Sequence, residues 1–494
     1  MSPPLVPPVR IINTHPQSQD HHRSLPTPAI MSPPGSPTDV PSSPIKAKRE
    51  PDMPMPGGDE QMRLIDTLEQ SYSLYELCLE LSKVAESLAQ NPVFKANGFE
   101  VKETVKAFRQ ESINGWKMCE LLHGMHPKVI QSIIQGTVAY DLIHHESGWY
   151  EMPREKEGRV AGIYAVGICR AGKAGRFVNI PEMRKLIKGI KQYIKGYEAL
   201  AKHLRDVDAK IVTYGDMANL SKEEITDLAW VARVDEDRSK FFKGKPRARA
   251  QFIHKDDEVP SIKALVRTYE RMCRPEITEA EEPIRMKQSP VYVGCSADLS
   301  TRTKAYRGSS LKSINKPMAL TLAVLFANKI PGEMHLGVAL LIWKSDQLPL
   351  AEQLVATLAG SLVYQHGFNA TEAGGTGPNT VHTPETLERS ARQIMLGSGA
   401  LAENIKATIH ELENREGFLK MLDKLEEEMP KVNDEIQELV DLVDQLPACS
   451  ESDSLIQRTS ELIQDRRKEL NDTREALAQW DLILKIKRRL LGLP

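Results

Sequence analysis

From Gln61 onward apolar residues recur at helical intervals: Leu64, Leu68, Tyr75, Leu79, Leu81, Val84 and Leu88 line one face of an amphipathic helix that Pro92 and Gly98 interrupt. A second helix is predicted over Val101 to Leu122. Between Val160 and Thr380 the period changes. Ala161 to Ile168 (AGIYAVGI) and Val291 to Cys295 (VYVGC) are short, β-branched and aromatic, and Leu336 to Trp343 (LGVALLIW) is a candidate buried strand. Helical patterns separate them. Asp298 or Ser300 is suited to start a helix that continues to Arg307, Pro317 to open one through Ala327, and Pro349 to open one running to about Gln365.

Residues 384 to 492 return to a nearly continuous helical pattern. Leu455 and Leu462 fall seven apart, as do Leu470, Leu477, Leu484 and Leu491, which keeps one seam toward a partner helix and predicts a helical hairpin or coiled coil. Lys485, Lys487, Arg488 and Arg489 in its last turn complement the helix dipole.

Residues 1 to 60 hold 15 of the 32 prolines and almost no aromatic residue, too little apolar area to offset the entropy of ordering, so a disordered tail is expected there. Its Ser-Pro and Thr-Pro pairs precede Lys46, Lys48 and Arg49, a pattern that suits either a solvated linker with a chance basic cluster or a phosphorylatable nuclear-localisation segment. The nucleus is the expected location; the cytoplasm is the other intracellular compartment consistent with the chain. The six cysteines lie at least 22 residues apart without a CxxC pair, against a disulfide scaffold or a zinc module. The longest largely apolar stretch, Met318 to Ala327, is ten residues and includes Thr321, so no membrane span is expected. The net charge of −2 confines any nucleic-acid site to a local patch.

That patch is expected in the stretch 170–289, which carries 26 Lys and Arg against 19 Asp and Glu. On one helical face Arg184, Lys188, Lys191 and Lys195 lie beside Ile187, Ile190, Ile194 and Tyr197, an arrangement that a solvated amphipathic helix explains. In KFFKGKPRARAQF, Lys240, Lys243, Lys245, Arg247 and Arg249 interleave with Phe241, Phe242 and Phe252. Cations can neutralise phosphates there while phenylalanines stack on bases. A basic loop whose phenylalanines join the core is the equal alternative.

The segment VYVGCSADLSTRTKAY, from Val291 to Tyr306, resembles the second half of the GIY-YIG nuclease signature, with Arg302 eight residues after Gly294. Upstream, Gly162, Ile163 and Tyr164 spell GIY, and downstream AEQLVATLAGSLVYQHGFNATEAGGTG resembles the end of the homing-endonuclease branch. The resemblance departs from the family in one respect, because Tyr164 and Tyr292 are 128 positions apart where the family has a close hairpin.

The resemblance implies an α+β fold, a small mixed three-stranded sheet flanked by helices, with a large helical insertion at 170–289. The expected organisation is a tail at 1–60, an N-terminal helical region at 61–150, a GIY-YIG-like domain at 151–380 and a C-terminal helical or coiled-coil region at 384–494. It also implies a metal-dependent DNA endonuclease. Glu352 would hold Mg²⁺ or another divalent cation, Arg302 would clamp the scissile phosphate, Tyr164 or Tyr292 would orient or deprotonate water through a lowered phenol pKa, Tyr306 would assist by hydrogen bonding, and Asn369 would fix the local loop or contact phosphate. The expected partners are DNA or RNA, and a second protein or copy along the coiled coil. The alternative is a scaffold in which a decayed nuclease fold docks nucleic acid or protein.

Overall fold

The computed structural model describes residues 58–444, apart from 72, 110, 145–147, 154–158, 208–219, 236–249, 274–276, 308–310, 312–313, 345, 375–382 and 397–398, and then 457, 458, 460–465, 467 and 468. Seven helices lead: α1 (Asp59–Gln70), α2 (Leu74–Gln90), α3 (Pro92–Ala96), α4 (Lys102–Arg109), α5 (Glu111–His123), α6 (Pro127–Gln135) and α7 (Val138–Ile143). Strand β1 (Gly162–Arg170) precedes α8 (Ile180–Val207), α9 (Lys222–Asp235) and α10 (Val259–Met272). Strand β2 (Val291–Ser296) precedes α11 (Leu299–Arg307) and α12 (Lys316–Ala327), and β3 (Gly332–Leu341) precedes α13 (Gln347–Leu358), α14 (Pro384–Leu396) and α15 (Ala400–Asp444).

Local signals explain most boundaries. The N-terminal pattern forms two helices rather than one, because the Ser73 side chain accepts the Tyr75 amide and starts α2. Asn315 caps α12 by accepting the Met318 amide, with Pro317 in the first turn. Helix α13 stops at Leu358, short of Gln365, because Gly360 takes a left-handed conformation (φ +52°) and turns the chain out of the helix.

The fold is α+β, with one three-stranded sheet in the order β2-β1-β3. Both pairings are antiparallel, so the expected mixed sheet is corrected: β1 lies between the other two and runs opposite to each, and β2 and β3, which point the same way, are not paired with each other. Strand β3 begins four residues before Leu336, because its ladder with β1 continues through Glu333, opposite Cys169, to Gly332, opposite Arg170.

Side chains alternate across the sheet and divide the core. Tyr164, Val166 and Ile168 face one layer built from α8, α10 and α12. Ile163 and Ala165, with Val291 and Val293, face the other, built from α1, α2, α4 to α6 and α13. The N-terminal helices therefore share a core with the sheet. The helices of the 170–289 stretch leave and return at the β1–β2 end, so 120 residues between paired strands leave the ladder intact.

The chain divides after Ala407. In the second unit, α15 continues from Thr408 with Ile409, Leu412, Leu419, Val432, Leu439 and Leu442 exposed along it and Pro430 inside it. Of the expected coiled-coil leucines, Leu462 is exposed; Leu455, Leu470, Leu477, Leu484 and Leu491 lie outside the described residues, as does the 1–57 portion of the tail.

Candidate functional site

The β1–β2 ladder sets Tyr164 directly opposite Gly294, joining the two halves of the motif. Helix α11 completes the group. Asp298 accepts the Thr301 amide and the Ser300 and Thr301 hydroxyls, and the Leu299 amide donates to Val160 O, so the helix starts pinned beside β1. Arg302 and Tyr306, one turn apart, then point at the same phenol. Arg302 Nε donates to Tyr164 Oη at 3.1 Å, and the hydroxyls of Tyr164 and Tyr306 hydrogen-bond at 3.2 Å. Tyr292 closes the cluster, its ring centroid 6.2 Å from that of Tyr164 and 6.3 Å from that of Tyr306.

Burial sorts these residues. Tyr164 and Tyr306 are fully buried, Tyr292 is half-buried and Arg302 is exposed. Burial pushes the Tyr164 phenol above its usual range, and the neighbouring Tyr292 adds to this while Tyr306 and Arg302 oppose it. Burial, reinforced by Tyr164 and Tyr292, likewise raises Tyr306. The lowered phenol expected of Tyr164 is thus replaced by a raised one, because the loss of water outweighs the nearby guanidinium. Arg302 is exposed as a residue but its guanidinium is partly shielded from water among the phenols, which disfavours the cation, while the oxygen of Tyr164, then those of Tyr306 and Tyr292, raise its pKa overall. The surface left to a ligand is Arg302 and the edge of Tyr292.

Glu352 sits elsewhere. It is half-buried on α13, which packs on the sheet face opposite Tyr164, and its Oε2 accepts the Gly374 amide at 2.9 Å. It makes no hydrogen bond or ion pair to Arg302, Tyr164, Tyr292 or Tyr306. Asn369 is buried against the open edge of β2. Its Oδ1 accepts the Val293 amide at 3.0 Å and its Nδ2 donates to Val293 O at 2.7 Å, so both ends of the side chain extend the ladder and hold the loop after α13.

Lys240, Phe241, Phe242, Lys243, Lys245, Arg247 and Arg249 lie outside the described residues. Phe252 is buried in the core, which removes it as a base-stacking surface. On the basic face of α8, Arg184 pairs with Glu282 at 2.5 Å and Lys191 with Glu270 at 2.6 Å. Two of the four basic residues on that face are therefore paired within the protein.

One polar group escaped the sequence reading. Cys169 on β1 and Glu333 and His335 on β3 present a thiol, a carboxylate and an imidazole nitrogen within 4.8 Å of one another, a set able to hold a metal ion. Glu333 and His335 precede the apolar run from Leu336 that marked the strand, and only the ladder register places them beside Cys169. The alternation in GEMHLG was the available signal.

Comparison with known proteins adds no relative: no family model, no curated protein and no solved structure matches this chain.

Proposed function

We propose that this chain is a GIY-YIG-like endonuclease that hydrolyses phosphodiester bonds in DNA with a divalent cation. One observation carries the reading: Tyr164, Tyr292, Arg302 and Tyr306, drawn from segments 128 residues apart, meet in a single cluster. In this reading Arg302 offers its remaining N–H groups to the scissile phosphate, where a planar permanent cation stabilises charge that develops in the transition state. Tyr164 and Tyr306 are positioning residues that hold the guanidinium. Tyr292, half-buried at the rim, is the tyrosine placed to orient water.

Glu352 fits a lightly held cation. Gly374 occupies its Oε2, while Oε1 accepts no hydrogen bond from the described residues, and one carboxylate oxygen with several waters suits Mg²⁺. A divalent cation bound there would supply Lewis-acid chemistry at a carboxylate whose helix packs on the sheet face opposite Tyr164. The basic stretch 240–249 would neutralise backbone phosphates.

A second reading, a non-catalytic module that docks nucleic acid or protein, is favoured by the full burial and raised phenol of Tyr164. The deciding experiment incubates the purified full chain with single-stranded, branched and duplex DNA, with Mg²⁺ and with chelator. Metal-dependent cutting that Glu352→Ala removes supports the endonuclease. Binding without cutting on every substrate overturns it in favour of the docking module.

A further inference from the structure

We propose that Cys169, Glu333 and His335 form a site for one zinc-like divalent cation that clamps β1 to β3, separate from the Glu352 cation of the proposed reaction. The ladder builds it. Cys169 pairs with Glu333 and Gly167 pairs with His335, so the four positions form one square patch on a single sheet face. Three corners carry donors. The fourth is a glycine, and there the backbone of α7 closes in: a β-carbon at Gly167 would stand 2.8 Å from the Ala139 amide nitrogen and 3.3 Å from the Val138 side chain. The three side chains are thus roofed and directed toward one another.

His335 points to a ligand independently of the cluster. Its side chain is 4% exposed and its Nε2 is buried without a hydrogen-bond partner among the described residues, an arrangement that is destabilising unless something occupies the nitrogen. Glu333 Oε2 lies 3.8 Å away, too far for a hydrogen bond and close enough to share a cation. Burial holds the imidazole neutral, lowering its pKa to about 4, and neutral imidazole is the ligating form. Burial also pushes the Cys169 thiol up to about 12, with Glu333 adding to the rise, while a hydrogen bond from the Gly175 backbone favours the thiolate. A dication displaces the thiol proton and supplies the charge the buried thiolate lacks.

The donor set selects the ion. One sulfur, one imidazole and one carboxylate suit Zn²⁺ and disfavour Mg²⁺, which prefers oxygen ligands alone. Zinc bonds of about 2.0–2.3 Å put tetrahedral donors about 3.5 Å apart, so a spread of 4.8 Å closes with roughly 1 Å of side-chain movement. Glu333, 25% exposed while Cys169 is 2% exposed, marks the entry path and the open fourth position for water.

The test is cobalt titration of the full-length protein after chelator dialysis. A thiolate-to-cobalt charge-transfer band should saturate at one Co²⁺ per chain and be displaced by Zn²⁺. Cys169→Ser should abolish the band, and Glu333→Gln and His335→Gln should weaken Zn²⁺ binding at least tenfold. Glu333 is partly exposed, so Glu333→Gln should keep the wild-type circular dichroism and lose the rise in melting temperature that Zn²⁺ gives the wild type. Glu352→Ala should retain the band. Absence of the band overturns the proposal. So does a band that survives Cys169→Ser, which would place the metal at another thiol such as Cys119, whose sulfur lies 3.5 Å from His123 Nδ1.

Discussion

Tyr164 lies across the β1–β2 ladder from Gly294, and its phenol occupies the volume a side chain at 294 would need: a β-carbon there would stand 2.5 Å from the phenol oxygen. The glycine that closes YVG is thus a packing requirement of the tyrosine that closes GIY. Gly294→Ala must push the Tyr164 ring off Arg302 and Tyr306, and overpacking of this kind costs about 1–3 kcal/mol. Urea denaturation should show a lower midpoint with an unchanged slope; an unchanged midpoint would mean the ring has room to yield.

Tyr164→Phe leaves the ring's packing in place and removes one oxygen that serves two partners, Arg302 Nε and Tyr306 Oη. The buried Tyr306 hydroxyl then loses that bond, at about 1–3 kcal/mol. A double-mutant cycle of Tyr164→Phe with Tyr306→Phe should give a coupling of at least about 0.5 kcal/mol, and additivity would show that the two hydroxyls act independently.

Arg302→Lys keeps the charge at an exposed position but gathers its donors on one nitrogen, so it loses the planar fork that holds Tyr164 through Nε while the terminal nitrogens face a phosphate. If the proposed reaction operates, turnover should fall on the order of 10²-fold with DNA affinity within about threefold of wild type, as loss of a transition-state donor predicts. Single-turnover cleavage alongside filter binding separates the two effects. Equal losses of both would make Arg302 a binding residue.

Stability should fall in mild acid through His366. Its Nε2 accepts the Gly58 amide at 2.8 Å, and burial, with Arg271 nearby, lowers its pKa to about 3. The folded value lies below the unfolded one near 6.5, so the contribution is complete above that pH and is lost as the pH falls toward 3. Between pH 8 and pH 5 the wild type should lose about 2 kcal/mol more than His366→Gln. Parallel denaturation profiles of the two proteins would assign the acid sensitivity to other groups.

The exposed apolar positions of the second unit give the expected self-association a direct test. Leu412→Glu, Leu419→Glu and Leu439→Glu together place charges along α15 at exposed apolar residues. Light scattering should show a lower mass for the triple variant than for the wild type if these residues pair between chains. A monomeric mass for both would mean that the helix does not self-associate.

The elements legible in the sequence are those written by neighbouring residues. The short β-branched and aromatic runs AGIYAVGI and VYVGC marked two strands, and Asp298 and Pro317 marked two helix starts, because strand composition and capping depend on neighbouring residues. Which face each element buries, and which strangers it meets there, depends on ladder register between distant segments. Packing between distant segments made Tyr164 and Tyr306 fully buried and raised their phenols, put the Glu352 helix against the opposite face, and tied both ends of the Asn369 amide to Val293, while register set Tyr164 opposite Gly294. It also set Cys169 beside Glu333 and His335, which lie more than 160 positions away in sequence. A one-residue slip of β3 would send its two side chains to the other face, so only the folded sheet, whose two buried faces hold that register, decides that the three donors meet.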